Sequence, residues 1–206
     1  MVIQASFDDA SIQDMLIAGL MQQYKINTIF YWPVYPEQAN AEKGRKSLNE
    51  DQMQYLAQRF EIGSHTINHP LLTRIPPELA WVEINDSRKI LQEKFHQPIN
   101  SFCYPRGYSN PEIQQMVVEA GYDNARSTLV GYVHQSENPY FIQTAVHVSA
   151  DRKEYAGLSW FDYGIKLFNI AKKIPDSVFH IFGHGWEISQ HNDWEKLEEF
   201  LGLITL

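Results

Sequence analysis

Residues 2 to 9 read Val2-Ile3-Gln4-Ala5-Ser6-Phe7-Asp8-Asp9, a mostly apolar run that ends in two adjacent carboxylates. The β-branched, aliphatic and aromatic side chains of this run predict a short buried strand from Val2 to Phe7. The residues after it begin with Ser11-Ile12-Gln13-Asp14 and then place apolar side chains at helical spacing, which predicts an amphipathic helix. The chain therefore begins with a strand and a helix, and the two carboxylates lie at the junction between them.

The same order of strand and helix recurs along the rest of the chain. Further strands are predicted at residues 28–32, 61–64, 99–104, 122–128 and 177–182, and further helices at about 50–60, 77–95, 110–121, 158–173 and 192–203. Residues 33–46 are predicted to form a long loop, and residues 129–157 show no clear periodicity. Strands that alternate with helices indicate a parallel sheet, so we expect one α/β domain over residues 1–206, built as a barrel or as a doubly wound sheet.

The composition fits a globular domain and argues against two classes of partner. With 206 residues, 44% of them hydrophobic, the chain is long enough to bury a substantial core. The formal net charge of −8 argues against nucleic acid, because no stripe of Lys and Arg is present to release counterions. The apolar runs are too short to span a membrane and the first residues lack a signal-peptide pattern, so the sequence as written is expected to be cytoplasmic, with export of a trimmed chain left open. The oligomeric state is not indicated.

Polar motifs follow several of the predicted strands, at the point where each strand ends. Asp8-Asp9 follow the first strand, His65 the third, Pro105-Arg106-Gly107 the fourth and Gly183-His184-Gly185 the last. Because the carboxyl ends of parallel strands in a barrel meet on one face, we expect these side chains to form one site. His65 and His69 are four residues apart, so a single helical turn would let both imidazoles bind one cation.

A carboxylate and two imidazoles are the donors of a catalytic metal site. Three such ligands leave positions open for water and substrate, and Asp9 with His65 and His69 supplies them. Zn²⁺ is the expected metal, although the same donors suit Co²⁺, Ni²⁺ and Fe²⁺. Hydrolysis at neutral pH also needs a base and an acid, and Asp8 and His184 are placed for these two roles.

Other residues are assigned to the substrate or to the fold. The segment Pro105-Arg106-Gly107-Tyr108 could supply a backbone N–H to a developing oxyanion and an aromatic wall to a ring-shaped substrate. Trp32 and Trp186 are further aromatic side chains that could stack on a sugar. Among the remaining histidines, His180 is expected to be structural because it lies inside a strand. The following histidines are expected at the surface: His96, His134, His147 and His191.

These motifs resemble those of the polysaccharide deacetylase family, the carbohydrate esterases with a NodB-type domain, over essentially the whole chain. Ser6-Phe7-Asp8-Asp9-Ala10 is similar to the first motif, in which the first Asp is the base and the second binds the metal. His65-Thr66-Ile67-Asn68-His69 matches the second motif, which supplies both histidine ligands, and Phe182-Gly183-His184-Gly185-Trp186-Glu187 resembles a variant of the last, whose histidine is the acid. The resemblance implies a distorted (β/α) barrel with outer helices and metal-dependent removal of an acetyl group, most simply N-acetyl, from a sugar or polysaccharide.

The third motif departs from the family pattern. It commonly begins with an arginine that orients the base and has an aromatic residue before its glycine, whereas this chain has Cys103 and Arg106 in those places. Arg126, near the end of the next predicted strand, is predicted to reach Asp8 instead, and the backbone at Arg106 would supply the oxyanion N–H.

The sequence alone leaves three points open. No segment matches the motif between the third and the last, for which Asp151 and Asp162 are the candidates. The chain could also hydrolyse a C–N bond in a small cyclic amide or ureide on the same barrel, or be a non-catalytic carbohydrate-binding relative. An open groove lined by aromatic residues would favour a glycan, and a small closed pocket would favour a ureide.

Overall fold

The computed structural model describes residues 1–41 and 44–206, and its centre is one parallel β-sheet. The seven strands are β1 (Val2–Asp8), β2 (Asn27–Trp32), β3 (Glu61–Ser64), β4 (Ser101–Cys103), β5 (Asn124–Arg126), β6 (Val146–His147) and β7 (Val178–Gly183). They lie in the order β5-β4-β3-β2-β1-β7-β6, and every neighbouring pair is parallel. The sheet curls into a half-barrel, which confirms the expected distorted (β/α) barrel.

Helices follow the strands and cover the convex side of the sheet. They are α1 (Asp14–Gln23), α2 (Pro36–Ala41), α3 (Glu50–Ala57), α4 (Pro77–Phe95), α5 (Pro111–Glu119), α6 (Trp160–Ala171), α7 (Gly185–His191) and α8 (Trp194–Thr205). Across residues 1–41 and 44–206, no helix combines the length and the apolar character needed to cross a membrane.

Successive side chains of a strand point to opposite faces of the sheet, and here the two faces differ in chemistry. Toward the helices, Phe7 on β1 contacts Phe30 on β2, whose ring in turn contacts Trp32. On the concave face, Ser6 Oγ lies 2.8 Å from His180 Nε2. The convex face therefore carries the apolar core, and the concave face carries the polar side chains.

Trp32 belongs to the convex face, which corrects its assignment to the substrate. Its side chain is 0% exposed, and its indole N–H donates to Asp14 Oδ2 at 3.3 Å. The residue is the last one of β2 and points away from the concave side, because alternation along the strand puts it on the same face as Phe30. Trp32 is a core residue.

The structure has three elements that the sequence analysis did not predict. Residues 33–46 contain the helix α2, which is too short to show helical periodicity in the sequence. Residues 129–157 contain β6, a strand of only two residues. The helix α7 was also missed, and it begins at Gly185, where a Cβ atom would lie 2.7 Å from Gln13 Cβ. A glycine is therefore required where α7 packs against the start of α1.

Candidate active site

The carboxyl ends of the strands surround a cavity of about 380 Å³ on the concave side of the sheet. Several of the residues predicted from the strand-end motifs line it, namely Asp8, Asp9, His65, His69, Arg106, His184 and Trp186. Residues far apart in sequence thus share one cavity because parallel strands end on the same side.

Asp9, His65 and His69 form a cluster suited to a metal ion. Asp9 Oδ1 lies 3.9 Å from His65 Nε2 and 3.5 Å from His69 Nε2, and one donor atom from each of the three side chains lies within 4.8 Å of the others. His65 Nδ1 is 2.7 Å from the carbonyl oxygen of Cys103, so it carries the proton and donates it to that oxygen. The lone pair of His65 Nε2 is then directed at the cluster.

A non-helical loop brings the two histidines together, which corrects the expected helical turn. Thr66 and His69 both adopt positive φ angles, of 71° and 58°, and their segment belongs to no helix. The imidazole rings of His65 and His69 nevertheless lie 4.6 Å apart between centroids. Left-handed residues that a sequence pattern does not reveal therefore set the ligand geometry.

A carboxylate on α4 holds this loop in place. Glu83 Oε2 accepts hydrogen bonds from the backbone N–H groups of Ile67 and Asn68, at 2.8 and 2.9 Å. Glu83 Oε1 also accepts from the side-chain amide of Asn68 at 2.7 Å. Nothing in the sequence motifs singled out Glu83, because its role depends on the packing of α4 against the loop.

Asp8 is paired with Arg126, as the sequence analysis proposed. Arg126 Nη2 donates to both carboxylate oxygens of Asp8, at 2.5 Å to Oδ1, and both side chains are buried. Burial alone would raise the pKa of Asp8, but the charge of Arg126, assisted by His65 and His184, brings that pKa below its usual value. Asp8 is therefore ionised at neutral pH.

The small side chain of Cys103 on β4 allows Arg126 on β5 to reach Asp8. Cys103 and Arg126 are register partners on the neighbouring strands β4 and β5. The thiol is small, and its Sγ lies 3.0 Å from Arg126 Nη2, so the guanidinium passes beside it toward Asp8. The position where the resemblance of the third motif implies an arginine is thus occupied by a small side chain, which leaves room for the guanidinium of Arg126.

Asp9 has two further neighbours on the cavity side. The indole N–H of Trp186 donates to Asp9 Oδ2 at 3.1 Å, and Arg45 Nη1 lies 3.7 Å from the same oxygen. The Arg45 guanidinium stacks on the Trp186 ring, 3.1 Å from its centroid. One face of this aromatic ring is therefore covered by a cation.

His184 faces both carboxylates and is held from behind by Glu187. His184 Nε2 lies 3.9 Å from Asp8 Oδ2 and 4.0 Å from Asp9 Oδ2, while His184 Nδ1 lies 2.6 Å from Glu187 Oε2. Burial lowers the pKa of His184, but Glu187 and then the two aspartates outweigh burial and raise that pKa to about 9. His184 is therefore protonated at neutral pH.

The same Glu187 oxygen also contacts His147, and this contact corrects the expected surface position of that histidine. His147 Nε2 lies 2.7 Å from Glu187 Oε2, and the residue is only 8% exposed. The short strand β6 that carries His147 was not recognised in the sequence. Glu187 itself could have been found, because it lies three residues after His184 on the first turn of α7.

The segment after β4 makes a tight turn at the edge of the cavity. Arg106 has a φ angle of 57° and lines the cavity, and Gly107 follows at 75°. A Cβ atom on Gly107 would lie 2.1 Å from Thr128 Oγ1, so only glycine fits there. Pro105 is buried below the turn and Tyr108 is 61% exposed outside it, and neither is among the residues that line this cavity.

The remaining sequence candidates lie away from the chemistry. Asp162 accepts a hydrogen bond from Ser159 at the start of α6, and Asp151 is exposed. His180 is buried in β7, where Gln4 and Ser6 contact its two ring nitrogens at 3.1 and 2.8 Å. These contacts agree with the structural role expected for His180.

Comparisons with known proteins point to one family. The model of the polysaccharide deacetylase family matches residues 2–125. YxkH of Bacillus subtilis is 33% identical over 94 residues, which are 45% of this chain and 34% of YxkH. The peptidoglycan-N-acetylglucosamine deacetylase of Bacillus cereus is 28% identical over 123 residues, which are 59% of this chain and 54% of that protein.

A solved structure supports the fold over the whole chain. The family 4 carbohydrate esterase from Streptomyces lividans, in complex with acetate, superposes with a TM-score of 0.62 at 13% identity. The match covers 100% of this chain and 90% of the esterase. By contrast, the chain spans only about a third and about half of the lengths of the two curated relatives it matches.

Proposed function

Because this chain belongs to the polysaccharide deacetylase family, we propose that it hydrolyses the acetamide group of an N-acetylated sugar or polysaccharide and releases acetate. The observation that carries the proposal is the arrangement of Asp8 beside the cluster of Asp9, His65 and His69, with His184 facing Asp8 across 3.9 Å. A base, an acid and a set of metal ligands thus share one cavity.

The residues present fit a divalent metal. Asp9, His65 and His69 would hold it, since one carboxylate and two imidazoles form a three-ligand set, and the hydrogen bond to Cys103 fixes the tautomer that leaves His65 Nε2 available. When bound, the metal supplies a Lewis acid that polarises the acetyl carbonyl and lowers the pKa of water. Zn²⁺ is the first candidate, and Co²⁺, Ni²⁺ or Fe²⁺ would accept the same donors.

Asp8 acts as the base. Arg126 fixes its carboxylate and keeps it ionised, so Asp8 can accept the proton of the water that attacks the acetyl carbon. The backbone N–H of Arg106, at the turn beside the cavity, donates to the oxygen that gains negative charge. Asp8 and Arg106 together prepare the nucleophile and stabilise the oxyanion.

His184 acts as the acid. When the C–N bond breaks, its electron pair passes to the sugar nitrogen, which takes the proton of His184 Nε2 and leaves as an amine. The products are acetate and a free amino sugar. Glu187 supports this step, because its contact with Nδ1 orients the ring and keeps His184 protonated at neutral pH.

Acetate release from a panel of acetylated oligosaccharides tests the proposal. The metal-free protein is supplied with Zn²⁺, Co²⁺, Ni²⁺ or Fe²⁺ in turn, and Asp8→Asn serves as the matched variant that keeps the side-chain size. We expect metal-dependent acetate release from an N-acetylated sugar and its loss in Asp8→Asn. If the protein releases no acetate from any glycan but opens a cyclic ureide, the assignment to sugars is wrong.

A further inference from the structure

Three arginines reach the cavity from three different loops. Arg45 precedes α3, Arg106 follows β4 and Arg152 follows β6, and all three line the cavity that contains Asp8 and Asp9. The chain carries a formal net charge of −8, so a group of three guanidiniums at one cavity opposes its average charge. Clefts lined by one sign of charge attract ligands of the opposite sign.

The two carboxylates that line the cavity, Asp8 and Asp9, both interact with other side chains of the protein. Asp8 is paired with a fourth arginine, Arg126, which is buried beneath it. Asp9 belongs to the cluster with His65 and His69. A bound divalent metal would add two positive charges, so the cavity ready for substrate has an excess of cations.

Arg106 and Arg152 are accessible from the cavity, whereas Arg45 Nη1 is buried 3.7 Å from Asp9 Oδ2. Arg106 is exposed at the turn after β4. Arg152 has Glu154 Oε2 3.6 Å from its Nε and His147 Nδ1 3.4 Å from its Nη1. Arg45 Nη1 is buried and has no hydrogen-bond acceptor among residues 1–41 and 44–206.

Aromatic stacking is a weaker basis for recognising the substrate here. Trp32 is in the core, and the Trp186 ring carries the Arg45 guanidinium on one face. Tyr108 is exposed but lies outside the lining of the cavity. Guanidinium groups, rather than open aromatic faces, are what the wall of this cavity offers to a sugar.

We propose that the acetylated sugar that this protein prefers carries an anionic substituent, a carboxylate or a phosphate, close to the acetamido group. The inference rests on the proposed deacetylase function and names the substrate class for that site. The planar guanidinium matches carboxylate and phosphate oxygens with two parallel hydrogen bonds. Arg106 and Arg152 bind the substituent, while Arg45, next to Asp9, adds positive charge at the cavity.

The test compares matched substrates that differ only in charge. Chitotetraose, its 3-O-carboxymethyl derivative and its 3-O-phosphate derivative are supplied to the zinc-loaded protein, because C3 is the ring neighbour of the carbon that carries the acetamido group. The value of kcat/KM is measured from acetate release. We expect kcat/KM to be about ten-fold higher for at least one of the charged substrates than for chitotetraose at low salt. The carboxylate and phosphate arms distinguish the two sources of negative charge.

Arginine variants connect the preference to the cavity. Arg106→Gln and Arg152→Gln should each lower the ratio of the charged to the neutral kcat/KM about three-fold, and the double variant should bring it close to one. Arg59→Gln is the control, because Arg59 precedes β3, at the end of the strands opposite to the cavity, and should leave the ratio unchanged. Raising NaCl from about 20 to about 300 mM should also lower the ratio.

Each result bears on the inference separately from the proposed function. A wild-type ratio at or below one, with chitotetraose deacetylated, would overturn the anionic preference and leave the deacetylase intact. A high ratio that survives in the double variant would show that other residues recognise the charge, and would overturn the assignment to Arg106 and Arg152. Absence of acetate release from all three substrates would overturn both the inference and the function.

Discussion

Arg126 on β5 forms a buried ion pair with Asp8 on β1, although three strands separate them in the sheet. Neighbouring strands are about 4.8 Å apart, so four steps across a flat sheet would separate the two backbones by roughly 19 Å. No arginine side chain spans that distance. The contact exists because the sheet curls, and it connects the edge strand β5 to β1, the strand that carries Asp8.

Loss of the guanidinium should reduce both stability and turnover. Arg126→Met removes the charge but keeps much of the side-chain volume, and it leaves Asp8 buried without its cation. Breaking a buried pair in this way costs about 3–5 kcal/mol. Urea unfolding should show a loss of that size, and full deacetylase turnover in the folded variant would contradict the role given to Arg126.

An arginine placed on β4 instead of β5 should restore the ion pair with Asp8. Cys103→Arg alone adds a large charged side chain where Arg126 already passes, so we expect a destabilised protein. The exchange variant Cys103→Arg/Arg126→Cys has one guanidinium at the neighbouring register position, and should be more stable and more active than Arg126→Cys alone. A folded exchange variant that is as inactive as Arg126→Cys would show that only β5 can supply the arginine.

The effect of Glu187 on the rate of hydrolysis should depend on whether the leaving group needs a proton. In Glu187→Gln the imidazole of His184 loses the carboxylate on Nδ1, so protonation of a departing amine should slow by about 10²-fold. 4-Nitrophenyl acetate releases a phenolate that needs no proton, so its hydrolysis should fall far less. His134→Gln, at an exposed histidine, is the control. Equal losses on the amide and the ester would contradict the role of Glu187.

Glu83 should control metal affinity from outside the ligand set. Glu83→Ala removes the acceptor of two backbone N–H groups in the loop between His65 and His69. We expect Zn²⁺ affinity to fall about 10- to 100-fold, as for other residues that orient ligands. Glu93→Ala, at an exposed position of the same helix, is the control, and competition with a chromophoric chelator measures Kd. Unchanged affinity in Glu83→Ala would mean that the loop keeps its shape without this carboxylate.

His180 should make the fold sensitive to acid. Burial, and then the charge of Arg126, lowers the pKa of His180 from 6.5 to about 3, with Asp8 opposing them. As the pH falls below 6.5, His180 therefore becomes protonated in the unfolded chain but stays neutral in the folded protein. The free energy of unfolding then falls by about 1.4 kcal/mol per pH unit. Between pH 6.5 and 4.5, urea unfolding should show that wild type loses about 2–3 kcal/mol more than His180→Gln. Parallel losses in the two proteins would contradict this assignment.

The sequence predicted the parts of the site that lie directly at strand ends. Asp8, Asp9, His65 and His184 follow or end strands whose apolar residues are easy to recognise, and the parallel order then brings them together. Arg126 could be proposed for the same reason. Position along a strand is a property of the local sequence, so these residues were accessible before the structure.

The remaining features depend on tertiary packing. Trp32 is an aromatic residue of the kind that stacks on sugars. Only the structure shows that its position on β2 points it toward α1, where it is buried. His147 lies on a strand of two residues, too short for any periodicity, and Glu83 acts through a helix that packs on the loop. The turn at Thr66 requires a positive φ angle that threonine seldom adopts, so the sequence pattern does not predict this turn.

The central claim is that Asp9, His65 and His69 hold the metal on which deacetylation depends. Zn²⁺ titrated into the metal-free protein, with acetate release from an N-acetylated oligosaccharide measured at each step, tests it most directly. We predict no acetate without metal, a rise that ends at one equivalent of Zn²⁺, and no rise in His69→Ala, which should bind zinc weakly while remaining folded. Acetate release by the metal-free protein, or an undiminished rise in His69→Ala, would contradict the account.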